Sequence, residues 1–262
     1  EFTGCNPATG RCRVIIREEW PTGWVENHPA MRYLADSTRF IWQSERNGFN
    51  NYYLYDLSGK LINLITQHQV EVASIVRVDE KANTLWYMAR DGDNFMKLQL
   101  HKVGLDGKND RRLTDPAFTH QVDVSPDGKY FVDVAQSRSQ PPFSQVVEVA
   151  KAVPVAQLAK SDLSKMESLG VRRVENYSFL AADGKTQLWG SIEFPLGFDP
   201  AKKYPALAPV YGGPASGGEP SETFRIPTAA STANYGFLVL SLHTRATPGM
   251  GKRTLDALYL KL

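Results

Sequence analysis

The segment Ser125-Pro126-Asp127-Gly128-Lys129-Tyr130 decides the fold, because it joins the residues of a tight turn to the start of an aromatic strand. Proline presets the backbone angle at a central turn position, and the Asp-Gly pair lets the chain reverse its direction. The apolar and aromatic residues that follow, up to Val132, predict a β-strand. We therefore expect this part of the chain to consist of short antiparallel hairpins.

The same arrangement recurs along the first 150 residues. A turn glycine followed by a basic residue occurs at Gly10, Gly59 and Gly107, with spacings of 49 and 48 residues. Aromatic strands recur with a similar period, since 46 residues separate Phe40 from Trp86. Four short strands in a repeat of roughly 45–50 residues are typical of β-propeller blades. A β-sandwich with accidental spacing is the alternative.

About three such blades fit into residues 1–160. Propellers close their circle with about four to eight blades. Either other chains complete the ring, or these are the C-terminal blades of a longer protein, and we favour the second interpretation. The strands that we predict within the blades are residues 39–42, 51–57, 61–65, 72–78, 84–88, 97–103, 121–125 and 129–132.

The pattern changes after residue 160. Residues 156–166 predict a short helix, and residues 174–180 and 186–194 then alternate as strands. Residues 206–211 and 236–242 are nearly continuous apolar runs, as expected of strands that helices bury on both faces. We interpret residues 161–262 as the start of an α/β-hydrolase domain.

The loop after the first apolar run carries the candidate chemistry, Val210-Tyr211-Gly212-Gly213-Pro214. Glycines directly after a buried strand let a ligand approach the backbone closely. In α/β-hydrolases the loop after the third strand contributes a donor to the oxyanion hole, and counting strands places Tyr211 there. Its hydroxyl would stabilise a developing oxyanion by about 3–4 kcal/mol. The alternative is a glycine-rich turn that only reverses the chain and has no catalytic role.

Several segments, taken in order, carry a family resemblance: residues 42–49, 120–142, 198–205, 211–214, 245–251 and 256–259. Together they resemble the dipeptidyl peptidase IV branch of the prolyl oligopeptidase family, particularly its bacterial members, over nearly the whole chain. The resemblance implies a serine exopeptidase that removes N-terminal dipeptides, often after Pro or Ala. It also implies an eight-bladed propeller, a hydrolase domain, peptide substrates, no cofactor and a parent protein that can be homodimeric. By this analogy Tyr211 is the oxyanion-hole tyrosine.

The rest of the catalytic machinery is missing from the printed sequence. No serine has glycine both two positions before and two positions after it, so the G-x-S-x-G elbow of the nucleophile is absent. The catalytic Asp and His follow the nucleophile in this fold, so we expect them beyond Leu262. We therefore expect an internal fragment that is inactive alone. A non-catalytic propeller-based binding protein, or an acylaminoacyl peptidase or esterase of the same superfamily, remains an alternative.

Two features resemble catalytic groups but have another interpretation. Glu18-Glu19 is similar to the family's paired glutamates, which bind the free amine of the substrate. The resemblance places those glutamates in an earlier propeller segment, whereas Glu18-Glu19 stands in the predicted outer strand of a blade or at its exit. We interpret it as a solvated charge pair. His243-Thr244-Arg245-Ala246 departs from the acidic residue, Asn, Arg and Gly of bacterial members, which puts the local turn in doubt. His243 precedes any nucleophile, so we predict a structural role for it.

Composition excludes several kinds of partner. With 30 basic and 28 acidic residues the net charge is +2, so no strong field favours nucleic acid. Apolar runs such as residues 237–242 are far shorter than the roughly 20 residues that span a bilayer. We predict neither a nucleic-acid partner nor a membrane-spanning segment.

The two cysteines, Cys5 and Cys12, flank a turn-like stretch. In a hairpin they would lie on its two arms and could form a disulfide, which fits an exported protein, periplasmic or secreted. Two unpaired thiols are the alternative. We predict no metal site, because two cysteines are too few for zinc and the histidines at positions 28, 68, 101 and 120 show no ligand-like spacing.

Overall fold

A computed structural model describes residues 1–25, 29–210, 220–245, 247–257, 259 and 260 of the chain. The chain forms two compact units. The first consists of Glu1–Asp91, Gln99–Thr114 and Met250–Lys261, and the second is built mainly from Gly92–Leu98 and Asp115–Gly249. The domain boundary predicted at residue 160 falls inside the second unit and stays a prediction.

The described residues form strands β1 to β18, helices α1 and α2, and a 3₁₀ helix at Thr232–Tyr235. In chain order the elements are β1 (Phe2–Cys5), β2 (Cys12–Ile16), β3 (Met31–Tyr33), β4 (Arg39–Ser44), β5 (Asn51–Asp56), β6 (Leu61–Leu64), β7 (Val72–Asp79), β8 (Thr84–Ala89), β9 (Gln99–Gly104), β10 (Arg111–Arg112), β11 (Thr119–Val124), β12 (Tyr130–Gln136), β13 (Phe143–Glu148), β14 (Val153–Lys160), α1 (Ser164–Ser168), β15 (Glu175–Leu180), β16 (Gln187–Glu193), β17 (Ala206–Leu207), β18 (Leu238–His243) and α2 (Lys252–Asp256).

The first unit contains the hairpin β1–β2 and two four-stranded antiparallel sheets, β3-β4-β5-β6 and β7-β8-β9-β10. Each sheet is a meander whose neighbouring strands are consecutive in the chain. The strands predicted here from the 45–50-residue repeat are confirmed to within two residues at each end. The same meander recurs in the second unit as β11-β12-β13-β14. The described residues thus contain three such four-stranded sheets, and the number of blades stays a prediction.

The glycine repeat has a structural cause in the first unit. Gly59 and Gly107 have φ angles of +91° and +77°, which L-residues with side chains rarely adopt. A Cβ atom on Gly59 would lie 2.3 Å from the carbonyl oxygen of Ile15, and one on Gly107 would lie 2.3 Å from that of Leu64. Each turn therefore abuts the backbone of the preceding sheet or hairpin, and only glycine leaves room for that contact.

The central strands β4 and β5 of the sheet β3–β6 are buried on both faces. Ile41 faces one core, shared with residues of the next sheet such as Leu85 and Tyr87. Its neighbours Phe40 and Trp42 face a second core that also contains Ile16 of the N-terminal hairpin. Because successive side chains of a strand point to opposite faces, one aromatic strand serves both cores. This face-to-face packing of consecutive sheets is that of propeller blades.

One predicted helix is wrong in extent. Residues 153–160 form strand β14, which pairs with β13 in antiparallel register and is exposed along its whole length. Helix α1 covers only Ser164–Ser168. Val153 and Val155 are β-branched and favour a strand, and the hydrogen bonds offered by β13 outweigh the helical preference of the Ala and Leu residues that follow.

The second unit also contains a mixed sheet with the order β15-β16-β18-β17. Strand β16 is antiparallel to β15 and β18, whereas β17 and β18 are parallel. The prediction of strands buried on both faces is wrong for the described residues. Strand β17 has two exposed residues, and β18 is only partly buried. The helices described in the chain span five residues at most, so they offer little cover to such strands.

No helix within the described parts of the chain combines the length and the apolar character that a bilayer crossing requires.

Candidate functional site

The predicted oxyanion donor Tyr211 lies outside the described residues, together with Gly212-Gly213-Pro214. The structure does describe the strand that leads towards it. Strand β17 runs parallel to β18, and the N–H of Leu238 donates to the carbonyl of Pro205 at 2.9 Å. The role of Tyr211 therefore stays a prediction.

His243 ends strand β18 in the same sheet. Its imidazole is partly buried, and its Nδ1 atom has no hydrogen-bond partner. Burial lowers the pKa of His243, and the positive charges of Arg138 and Arg225 lower it further. A neutral ring next to two guanidinium groups fits the structural role predicted for this residue, and that role stays a prediction.

Arg245, which follows β18, holds the loop to the hairpin between β15 and β16. Its guanidinium donates to the carboxylate of Asp183 and, at 2.9 Å, to the hydroxyl of Thr186. The Thr186 hydroxyl also donates to Asp183 at 2.7 Å. The pKa of Asp183 lies well below its usual range, first because of the hydrogen bonds from Thr186 and then because of Lys185 N–H and Arg245. The sequence after β18 departs from the family pattern, but Arg245 in it is held by Asp183 and Thr186.

A partly buried polar network surrounds Arg138, in the link between β12 and β13. Its Nε donates to the Asn176 side chain at 2.9 Å, and Nη2 donates to the carbonyl of Ser221 at 2.5 Å. Asn176 in turn donates to the carboxylate of Glu222 at 3.2 Å. The remaining nitrogen, Nη1, is buried without a partner. The network holds residues 221 and 222 against the link between β12 and β13 and against strand β15.

In the first unit, the interpretation of Glu18-Glu19 as a solvated pair is wrong for one member. The Glu19 side chain is 71% exposed, but that of Glu18 is only 15% exposed. Glu18 accepts hydrogen bonds from the Trp42 indole at 2.9 Å and from the Arg46 guanidinium. Arg46 also lies over the ring of Tyr53, 4.5 Å from its centroid. Glu18 is therefore held in an ion pair beside the aromatic face of β4 and β5.

Cys5 and Cys12 are joined by a disulfide across the N-terminal hairpin. They are directly paired residues of β1 and β2, at the end nearest the turn. The link closes the hairpin covalently, and it lies apart from the sequence segments that carry the candidate chemistry.

Sequence reasoning missed a cluster of two histidines and three other polar side chains around strands β8 and β9. Nε2 of His68 lies 3.0 Å from Oδ2 of Asp110, and Nδ1 of His101 lies 3.2 Å from Oδ1 of the same carboxylate. The Tyr87 hydroxyl donates to Asp110 at 2.6 Å, and Nε2 of His101 contacts Asp91 at 2.9 Å. Because these residues are far apart in the sequence, no local spacing indicates that they meet.

The electrostatics of this cluster favour a charged carboxylate. Burial alone would raise the pKa of Asp110, but hydrogen bonds from His101, His68 and Tyr87 outweigh it and hold the pKa well below its usual range. Burial and the nearby Asp110 raise the pKa of Tyr87, which keeps its proton. For His101, burial lowers the pKa, and the bonds to Asp110 and Asp91 more than compensate, so the pKa is raised.

Comparisons with known proteins agree with the fold. A family model described as "Dipeptidyl peptidase IV (DPP IV) N-terminal region" matches residues 1–142. A probable dipeptidyl peptidase 4 from Emericella nidulans is 23% identical over 222 residues, covering 80% of this chain and 28% of that protein. One from Arthroderma benhamiae is 24% identical over 211 residues, covering 78% of this chain and 27% of that protein.

Two solved structures are similar as well. The crystal structure of Porphyromonas gingivalis dipeptidyl peptidase 4 has a TM-score of 0.75 and 21% identity, covering 98% of this chain and 36% of that one. The structure of a putative dipeptidyl aminopeptidase IV from Bacteroides ovatus has a TM-score of 0.72 and 22% identity. The match covers 91% of this chain and 36% of that one. The chain thus spans less than two fifths of each of these relatives. Because the family model matches more than half of the chain, this chain belongs to the family of dipeptidyl peptidase IV N-terminal regions.

Proposed function

We propose that this chain is part of a serine-type dipeptidyl aminopeptidase that releases N-terminal dipeptides, often X-Pro or X-Ala, from peptides. The observation that carries the proposal is the family match over residues 1–142. Relatives named dipeptidyl peptidase 4 align over about four fifths of the chain, which supports it. The preference for Pro or Ala comes from the resemblance of the sequence segments.

The mixed sheet of the second unit supports the hydrolase part of the proposal. Strands β15, β17 and β18 run in one direction and β16 runs in the other. Ligands of α/β sheets bind at the carboxyl ends of parallel strands. In the sequence, Tyr211 comes after β17, and the segment anchored by Arg245 comes after β18, which supports a role for Tyr211 at that end of the sheet.

In the proposed mechanism, a serine outside the printed sequence attacks the scissile carbonyl, and a histidine transfers its proton to the leaving amine. Tyr211 donates its phenolic hydrogen to the oxyanion that develops on the carbonyl oxygen, beside a backbone N–H next to the nucleophile. The printed chain contains no G-x-S-x-G elbow. We therefore propose that the 262 residues alone have no peptidase activity.

The test compares the 262-residue chain with the protein extended through the nucleophile elbow and the later Asp and His. Both are assayed with Gly-Pro-p-nitroanilide and with its N-acetylated form. We expect release of nitroaniline by the extended protein from the free-amine substrate alone, and none by the short chain. Cleavage that requires the acetyl group would indicate an acylaminoacyl peptidase instead. Cleavage of neither substrate would contradict the proposal and favour a binding protein, and activity of the pure short chain would contradict its predicted inactivity.

A further inference from the structure

We propose that His68, His101 and Asp110 form a binding site for a single divalent transition metal ion, with zinc as the best fit. One donor atom from each residue lies within 4.8 Å of the other two. The donors come from the segment between β6 and β7, from strand β9, and from the residue that precedes β10. All three belong to the first unit.

The distances between the donor atoms are close to those of a four-coordinate site. Zinc binds imidazole nitrogen and carboxylate oxygen at about 2.0–2.2 Å, so tetrahedral ligands lie roughly 3.3–3.6 Å apart. Nε2 of His68 lies 3.0 Å from Oδ2 of Asp110, and Nδ1 of His101 lies 3.2 Å from Oδ1, the other oxygen of that carboxylate. The three donor atoms, one from each residue, lie within 4.8 Å of one another, so side-chain movements of about 1 Å would replace these hydrogen bonds with ligation of one ion.

The surrounding residues orient the ligands as they do in known metal sites. Metal-bound histidines almost always donate their second ring N–H to a carboxylate or a carbonyl. Nε2 of His101 has such a partner in Asp91 at 2.9 Å, which leaves Nδ1 directed at Asp110. The backbone of His68 is held on both sides by the buried Asn51, whose side chain accepts from its N–H at 2.8 Å and donates to its carbonyl at 3.1 Å.

The donor set selects the class of ion. Two imidazole nitrogens and one carboxylate oxygen suit zinc and neighbouring late transition metals, whereas calcium and magnesium favour sites made of oxygen alone. The Tyr87 hydroxyl lies 2.6 Å from both His68 Nε2 and Asp110 Oδ2. As a protonated phenol it is a hydrogen-bond donor to the carboxylate, and the fourth ligand position is left for water.

Such an ion would act as a cross-link in the blades. His68 lies in the connection between the two sheets of the first unit, and His101 lies in the second of them. The side chain of His101 is 4% exposed and those of His68 and Asp110 are 20–25% exposed, so the ion would sit near the surface with access for exchange. Binding to the folded state alone raises the stability of the protein.

The experiment uses the untagged 262-residue chain after treatment with a chelator. Zinc is titrated by calorimetry in competition with a chromogenic chelator, and cobalt is added separately to record the visible bands of a four-coordinate ion. The variants are Asp110→Asn and His68→Gln, with Asp123→Asn, an exposed strand residue, as the matched control. Circular dichroism and gel filtration establish that each variant is folded. Asp91→Asn is a milder variant that leaves all three ligands in place.

We expect one equivalent of zinc to bind and to raise Tm by roughly 5–10 °C at a hundredfold excess over Kd. Asp91→Asn should weaken binding by about 10–100-fold, and Asp110→Asn or His68→Gln should weaken it at least as much, while the control behaves as the wild type. Cobalt should show four-coordinate bands. Absence of saturable binding by the wild-type chain, or binding of equal strength in folded variants of the cluster, would overturn the proposal and leave the cluster as a hydrogen-bonded network.

Discussion

The ammonium group of Lys252 lies 2.8 Å from the carboxylate of Glu45, although 207 residues separate them in the sequence. The Lys252 side chain is only 4% exposed, and it also donates to the carbonyl of Trp24. Next to it, the Trp20 indole donates to Asp256 at 2.6 Å. All of these residues belong to the first unit, so the contacts hold the segment around Lys252 within that unit.

Replacing Lys252 should therefore release this segment. Lys252→Met removes the charge and leaves the Glu45 carboxylate without its ammonium partner, which should cost about 3 kcal/mol because the pair is largely buried. Hydrogen exchange measured by mass spectrometry should show faster exchange in residues 250–260. Lys165→Met, at an exposed helical position, is the control. Unchanged exchange in residues 250–260 would contradict the contact.

The glycine repeat makes a second prediction, because two of its members differ in their surroundings. Gly10 and Gly59 both have positive φ, but a Cβ on Gly10 has open space, whereas one on Gly59 would clash with the carbonyl oxygen of Ile15. Gly10→Ala should cost only about 1 kcal/mol for its backbone conformation. Gly59→Ala should cost about 3 kcal/mol, since the backbone must also move. Urea denaturation measures both, and equal losses would contradict the close approach.

A third prediction concerns pH. Glu71 is buried, and its carboxylate accepts the backbone N–H of Asn50 at 2.7 Å. Burial raises the pKa of Glu71, the neighbouring Glu45 raises it further, and Arg90 opposes the shift. A carboxyl whose pKa is raised in the folded state stabilises the fold below its unfolded pKa of about 4.3. That contribution is lost as the pH rises through the raised value.

Glu71→Gln keeps an acceptor for Asn50 but does not titrate. The free energy of unfolding of the variant, minus that of the wild type, should therefore increase from about pH 4 to about pH 8. Urea denaturation at a series of pH values gives this difference, with the exposed Glu167→Gln as the control. A difference that stays constant or falls with pH would show that Glu71 has no raised pKa.

The fourth prediction concerns the disulfide. Cys5 and Cys12 are seven positions apart, and closing a loop of this length stabilises a fold by about 2–3 kcal/mol in the chain-entropy account. The double variant Cys5→Ser/Cys12→Ser should lose protection from hydrogen exchange in β1 and β2 first, because the link is local. The wild type should lose the same protection in reductant, and the variant should not respond. An equal response of both proteins to reductant would contradict the bond.

Local patterns were sufficient for strands β4 to β9, because each is short and bounded by turn residues, but they did not predict the outer strands β3 and β10 or strand β13. They were insufficient for residues 156–160, whose strand exists because β13 offers hydrogen bonds. The continuous apolar runs also predicted too much burial for β17 and β18, because an apolar run does not indicate which elements pack against the strand. The partner of Glu18 and the cluster of His68, His101 and Asp110 depend on contacts between distant segments, which no spacing reveals.

The most direct test of the proposed peptidase is the Tyr211→Phe variant of the extended protein, assayed for release of nitroaniline from Gly-Pro-p-nitroanilide. Loss of a hydrogen-bond donor that acts only on the oxyanion should lower kcat by about 10²–10³-fold and leave KM nearly unchanged. Tyr235→Phe, at a side chain that is 80% exposed, should retain wild-type kinetics. A kcat for Tyr211→Phe equal to that of the wild type would contradict the proposed role of this tyrosine.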